Sequence, residues 1–318
     1  MKVLANDGIS QSGINALEAS GIEVITTKVA QEQLINYINE NQIDVILVRS
    51  ATKVRKDIID ACPSLKIIGR GGVGMDNIDV DYARDKGLHV INTPAASSSS
   101  VAELVFAHLF GGVRFLHDAN RNMPLEGDTK FKDLKKSYAG GKELRGRTIG
   151  IIGFGRIGQE VAKIAIGCGM NVLASDKFVE EATISLDFFN GEKLSFPITT
   201  QPLNEVIASS DFITLHVPAQ KEYVIGKAQI DSMKDGAALI NAARGGVIDE
   251  QALIEALEAG KLSFAALDTF EAEPTPSIKV LMNSNLSLSP HIGAATQEAQ
   301  DRIGTELASQ IVSIMEKA

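Results

Sequence analysis

The chain has 318 residues, 44% hydrophobic and 22% charged, a balance that excludes a disordered protein, and its length suits two cores better than one. Its net charge of −9 comes without any sustained basic block, which argues against nucleic acid or an anionic membrane surface as a partner. Cys62 and Cys168 are its only cysteines and sit in no metal-ligand spacing, so no disulfide framework and no metal are expected, and the two thiols point to a reducing compartment.

From the N-terminus, residues 2–5, 22–27, 45–48, 65–70 and 90–92 read as short strands, with amphipathic stretches such as 31–40 between them. The chain runs into Val3-Leu4-Ala5 without an apolar leader and contains no apolar run of ~20 residues, so a cytoplasmic protein is expected. Next comes a long apolar stretch, 101–116, behind four serines, Ser97 to Ser100, any of which can cap a helix. A second strand series follows at 148–153, 171–176, 212–217, 237–242, 265–269 and 286–289, again with helical segments between. Residues 297–316 close the chain as an amphipathic helix with Ile303, Leu307, Ile311 and Met315 on one stripe. Strands alternating with helices give an α/β fold of two doubly wound parallel-sheet domains.

Within the second series, the buried-strand run Thr148-Ile149-Gly150-Ile151-Ile152 passes into Gly153-Phe154-Gly155-Arg156-Ile157-Gly158 and then a helical pattern. Gly153 suits the tight turn, Gly155 a close backbone approach to pyrophosphate, and Gly158 the packing of helix on strand. The helix N-terminus adds free N–H groups and positive dipole. The next strand ends at Asp176, 18 positions after Gly158, close to the ~20-residue spacing of a ribose-binding carboxylate. NAD is therefore expected in preference to NADP, although Lys177 beside it can soften the discrimination.

Three ionisable residues stand just beyond late strands, where open parallel sheets bind ligands: Arg244, Glu273 and His291. His is suited to moving a proton near neutral pH, a carboxylate beside it orients the ring, and Arg offers a planar fork to a carboxylate. By contrast, His89 and His216 sit within strand patterns and read as structural. In the first series, Gly71-Gly72-Val73-Gly74 follows a strand, where successive backbone N–H groups can turn toward an anion.

An Arg in Asn-x-x-Arg-Gly-Gly, a Glu before Pro274 and a His after Pro290 occur in that order, and the segments Val48-Arg49-Ser50-Ala51-Thr52-Lys53-Val54 and Gly69 to Asn77 match as well. On these motifs the whole chain resembles the D-2-hydroxyacid dehydrogenases, and within them the phosphoglycerate dehydrogenases. The resemblance implies a flavodoxin-like substrate domain of residues 1–96 and 290–318 and a Rossmann NAD-binding domain of residues 97–289, with hinges near Ala96 and Ser289. It implies His291 as acid/base, Glu273 as its support and Arg244 as substrate anchor. NAD would be held by Gly153, Gly155, Arg156, Ile157, Gly158, Asp176, His216, Val217, Pro218, Ala242, Arg244, Asp268 and His291. The substrate, a small anionic 2-hydroxy acid, would be held by Arg49, Ser50, Gly72, Val73, Gly74 and Arg244, with Arg49 and Ser50 near its phosphate. Lys135 and Lys136 are a second cation source or a solvated pair.

The resemblance also implies a homodimer through the NAD domain, with the 101–116 helix supplying apolar surface or simply core. Residues 178–200 depart from the family by their length, and Phe188-Phe189-Asn190-Gly191 within them suggests a hairpin with an Asn-Gly turn on the adenine side. Longer relatives carry C-terminal regulatory domains, whereas this chain stops at Ala318, so feedback through such a domain is not expected. Rival readings are glyoxylate or hydroxypyruvate reduction and, in another class, an NAD-sensing corepressor of the same fold.

Overall fold

A computed structural model describes residues 1–317, and they fold into two units, Met1–Ser100 with the stretch from Ala294 onward, and Val101–Gly293. The helix Ser98–Val113 begins in the first unit and continues into the second, and the backbone N–H groups of Ile292 and Gly293 bond to Asp268 of the second unit.

The first unit holds strands β1 (Lys2–Ala5), β2 (Glu23–Ile25), β3 (Val45–Val48), β4 (Ile67–Arg70) and β5 (His89–Asn92), all parallel in the order β2-β1-β3-β4-β5. Because side chains alternate across a sheet, each strand feeds two cores. Leu4, Ile46, Val48 and Ile68 pack on one face with Leu34, Ile38 and Ile58. Val3, Ala5, Val45, Leu47 and Ile67 pack on the other with Leu17, Ile303, Leu307 and Ile311. Three of the four stripe residues of the C-terminal helix Gln297–Met315 are thus the second core, while Met315 packs at its edge. This helix meets the helix Gln11–Ala19 at Gly304 and Gly13, where a side chain on Gly13 would strike the Gly304 backbone and one on Gly304 would strike Ser10 Oγ.

The second unit contains β6 (Thr148–Ile152), β7 (Asn171–Ser175), β8 (Glu181–Asp187), β9 (Lys193–Thr199), β10 (Phe212–Leu215), β11 (Ala237–Asn241), β12 (Leu262–Leu267) and β13 (Leu286–Leu288). Six of these form a parallel sheet in the order β13-β12-β11-β10-β6-β7. The order reverses between β6 and β10, which is where a doubly wound sheet opens a crevice beyond its strand ends. β8 and β9 make the separate antiparallel hairpin, joined through Phe188 to Glu192 with Gly191 at φ 85°, a left-handed conformation that glycine adopts without strain. Ile184 anchors it, buried in the core under the helix Arg156–Gly167.

The apolar run after the serines forms the helix Ser98–Val113, whose Val101, Ala102, Val105, Phe106, Leu109 and Val113 are buried. Spacings of three and four place them on one face, and each larger side chain contributes roughly 1.5–3 kcal/mol by burial. Most of this helix is therefore core. Exposed apolar surface begins at its end and continues beyond it, at Phe110, Leu116, Met123, Leu125 and Phe131.

Candidate active site

The strand β6 ends at Ile152 and the chain turns at Gly153, whose φ of 91° only glycine takes readily. Gly153 also lies where a side chain would strike the carbonyl of His216, and a side chain at Gly158 would strike the carbonyl of Gly153. Gly155 is the exposed N-cap of the helix Arg156–Gly167, and the protein leaves the space beside its Cα open. Exposed Arg156, half-buried Ile157 and buried Gly158 form the first turn. An anion approaching Gly155 thus meets the unpaired N–H groups and positive end of a 12-residue helix.

Beside this turn lies a cavity of about 920 Å³, walled by Ile152, Gly153, Asp176, His216, Val217 and Pro218 among others. Its volume falls in the range of ~300–1,000 Å³ typical of cofactor pockets. Asp176 is held as a fixed acceptor. Its Oδ2 takes the N–H of Phe154 at 2.6 Å, and its Oδ1 takes those of Phe178 at 2.8 Å and Val179 at 3.1 Å. A carboxylate has about four acceptor sites, so one remains for a ribose hydroxyl. The glycine cradle, the open helix end and this carboxylate together fit a dinucleotide. The base of the β8–β9 hairpin reaches the same cavity through Phe178, Thr200 and Gln201, and Phe178 is almost wholly exposed.

His216 lies one residue beyond β10, not within it, so the strand reading is corrected: the residue lines the cavity. Its Nε2 is 3.0 Å from Thr214 Oγ1, and burial pushes the imidazole down to about 3, which keeps it neutral. His89 does stand in β5, exposed. Ala242 is buried just past β11.

The neighbouring order β13-β12-β11 gathers the ends of three strands, and Arg244, Glu273 and His291 follow them in turn. His291 Nδ1 lies 2.9 Å from Glu273 Oε2, and Glu273 Oε1 accepts the N–H of Phe270 at 3.0 Å. Both side chains are more than a third exposed, His291 at 39% and Glu273 at 35%, so the pair is accessible to a small molecule. A carboxylate only accepts, so Nδ1 carries the proton shared with Glu273 and Nε2 is left to face a reactant. His291 has φ 54°, a left-handed backbone uncommon for His, held by the hydrogen bonds on either side of it.

Arg244 is half-buried, its Nη1 bonded to the carbonyl of Ala243, and Asn241 brackets the loop by donating to the Arg244 carbonyl and accepting from Ala243 N–H. Gly245 next to it lies so close to the Phe270 carbonyl that no side chain fits, which sets the Arg244 loop against the loop carrying Glu273. Asp268 is turned inward at 1% exposure. Its carboxylate accepts from Ser289 Oγ at 2.6 Å and from the N–H groups of Ile292 and Gly293, both at 2.8 Å.

In the first unit, Arg49 is half-buried after β3 and its backbone N–H is fixed by Asp7 Oδ2 at 2.7 Å. Burial lowers its guanidinium from the ordinary value, with Asp7 opposing. Ser50 is exposed beside it. The glycine turn after β4 is only partly as expected: Gly71 and Gly72 donate their N–H groups to the carbonyls of Val48 and Arg70, while Val73 is exposed and Gly74 half-buried. Lys135 and Lys136 are exposed on the helix Phe131–Ser137. The buried partners of Asp268 and the Gly245 contact were missed from sequence, although a His at position 108 on the core face of an apolar helix was a readable signal.

Residues 106–293 match the family model described as D-isomer specific 2-hydroxyacid dehydrogenase, NAD binding domain. The chain is 42% identical to a hydroxypyruvate reductase of Thermotoga maritima, covering 98% of this chain and 97% of that protein. It is 41% identical to a D-3-phosphoglycerate dehydrogenase of Methanocaldococcus jannaschii over 99% of its own length, but spans only 57% of that relative. Among solved structures, D-lactate dehydrogenase from Aquifex aeolicus complexed with NAD and lactic acid superposes with a TM-score of 0.77 at 29% identity, covering all of this chain and 96% of that one.

Proposed function

The chain belongs to the D-isomer specific 2-hydroxyacid dehydrogenase family, and from that premise we propose that it is an NAD-linked oxidoreductase interconverting D-3-phosphoglycerate and 3-phosphohydroxypyruvate. The observation that carries the reading is the 2.9 Å pair between His291 and Glu273, in the same unit as the glycine turn and Asp176. Gly153, Gly155 and the helix start would hold the pyrophosphate of the dinucleotide, and Asp176 its ribose. When bound, NAD supplies the hydride acceptor. His291 Nε2 takes the proton of the substrate hydroxyl during oxidation and returns it to the carbonyl oxygen during reduction. Glu273 keeps the ring oriented, and Arg244 forks the substrate carboxylate. On the first unit by itself, Arg49, Ser50, Gly72, Val73 and Gly74 are the residues we assign to an anionic substrate, with Arg49 for a phosphate.

Reduction of hydroxypyruvate is the second reading, and the relative of nearly equal length that bears that name favours it. A panel of 3-phosphohydroxypyruvate, hydroxypyruvate, glyoxylate and pyruvate with NADH decides between them by kcat/KM. The phosphoglycerate reading expects the phosphorylated acid to lead by at least tenfold; a lead for hydroxypyruvate or glyoxylate discards it and keeps the family chemistry.

We also assign a homodimer through the second unit, since Phe110, Leu116, Met123, Leu125 and Phe131 expose apolar area there. A cytoplasmic site is in keeping with two free cysteines, and no single helix among the described residues is long and apolar enough to cross a membrane.

A further inference from the structure

Beneath the loop that carries His291 runs a chain of buried hydrogen bonds that starts on another element altogether. His108 is 7% exposed on the helix Ser98–Val113, beside the buried Val105, Phe106 and Leu109. Its Nδ1 lies 2.8 Å from Ser287 Oγ and its Nε2 lies 2.9 Å from Ser289 Oγ. Ser289 Oγ donates in turn to Asp268 Oδ1 at 2.6 Å. Asp268 completes its shell with the N–H groups of Ile292 and Gly293, the two residues directly after His291.

The donors and acceptors can be ordered without freedom. Ser289 has one hydroxyl proton, and it goes to the carboxylate, so toward His108 it can only accept. Nε2 of His108 must then carry a proton. Burial pushes this imidazole down from its ordinary value, which keeps it neutral, so Nδ1 is bare and accepts from Ser287. Every polar atom of the relay is thereby satisfied, the condition under which a buried polar network fixes one geometry. A Leu in this place would fill the core without such a network, and would leave Ser289 one donor short.

We propose that His108 is a positioning residue for the reaction: through Ser289 and Asp268 it holds the backbone on both sides of His291, and so sets where the acid/base ring stands. The inference rests on the reading of His291 as acid/base. Residue 289 lies two before His291 and residues 292 and 293 directly after, so the Asp268 carboxylate bridges the loop from both ends. His291 needs that bridge because its φ of 54° is a conformation it would not hold unaided. His108 keeps Ser289 in the rotamer that makes the bridge three-pointed.

The test uses the full chain with NADH and 3-phosphohydroxypyruvate or hydroxypyruvate, whichever the wild type turns over. His108→Leu is expected to lower kcat about tenfold at a temperature where the fold is intact, with NADH binding by fluorescence and the substrate KM within about twofold of wild type. His108→Gln, whose amide N–H can still reach Ser289, should recover most of the loss. His108→Leu combined with Ser289→Ala should cost no more than the worse single change, as expected of residues acting in series. If His108→Leu lowers the melting temperature but leaves kcat unchanged, or if the two losses multiply, the inference is overturned. Nitrogen-15 NMR of His108 gives a readout free of turnover: a neutral ring protonated at Nε2 near pH 8 is expected, and an Nδ1–H tautomer or an imidazolium there rules the relay out, even where the Leu variant does not fold. His291→Gln run alongside separates the two levels. Normal turnover there defeats the acid/base reading itself, whereas a dead His291→Gln with a fully active His108→Leu defeats only the role given to His108.

Discussion

Glu273 divides its two carboxylate oxygens between a side chain and the backbone: Oε2 accepts from His291 Nδ1 at 2.9 Å while Oε1 accepts from Phe270 N–H at 3.0 Å. The backbone bond fixes the carboxylate, and the carboxylate fixes the ring. Glu273→Gln, which keeps an acceptor but loses the charge, should lower kcat roughly tenfold. Glu273→Ala should lower it on the order of 10²-fold, the lower end of what a general acid/base is worth. NADH affinity should stay nearly constant. Wild-type kcat in the Ala variant would remove Glu273 from the mechanism.

Asp176 carries the proposed preference for NAD, because its carboxylate is anchored by three backbone N–H groups and is not free to swing away from a 2′-phosphate. Wild type should therefore turn over with NADH far better than with NADPH. In Asp176→Ser the ratio of kcat/KM values should move toward NADPH by at least tenfold, helped by Lys177 beside it. An unchanged ratio would place the discrimination elsewhere.

Arg49 is half-buried with its backbone fixed by Asp7, which makes its side chain a costly group to strand without an anion. Arg49→Ala should lose ~2–5 kcal/mol of kcat/KM for 3-phosphohydroxypyruvate, the range for stripping one partner from a buried charge pair. Glyoxylate, which has no phosphate, should be affected by less than threefold. Equal losses for both acids would show that Arg49 does not read the phosphate.

The pH dependence of stability follows from His216, whose imidazole is pushed down to about 3 by burial, against an unfolded value near ~6.5. Between these values the unfolded chain binds a proton that the folded chain refuses. Its contribution is thus complete above pH ~6.5 and is lost as pH falls toward 3, at up to ~1.4 kcal/mol per pH unit. Thermal scans of the cofactor-free protein at pH 7 and pH 4.5 should show a smaller drop in Tm for His216→Asn than for wild type. Parallel drops would mean that His216 is protonated in the folded state.

Much of this molecule is local and therefore legible in the amino-acid order. Strand runs such as Val45–Val48 are apolar because both faces of a parallel sheet are covered, and the glycine turn after β6 is marked by residues that permit a φ of 91° and an open helix end. Arg244, Glu273 and His291 were visible for the same reason: each follows its own strand within a few residues. What the sequence could not contain was the partnership between them. Glu273 meets His291 because β12 and β13 are neighbours, and Gly245 meets Phe270 because β11 and β12 are. His108 finds Ser289 across 181 positions only once the helix Ser98–Val113 lies against the sheet. The same packing turned most of that helix into core and left the exposed apolar surface to Phe110 and the residues after it. Backbone bonding in the tertiary fold also spent the Gly71 and Gly72 amides inside their own turn and moved His216 from a strand to a cavity wall. Periodicity and turn chemistry act over a few residues and are written in the chain, whereas which donor meets which acceptor across two strands or a helix is decided by sheet order and close packing.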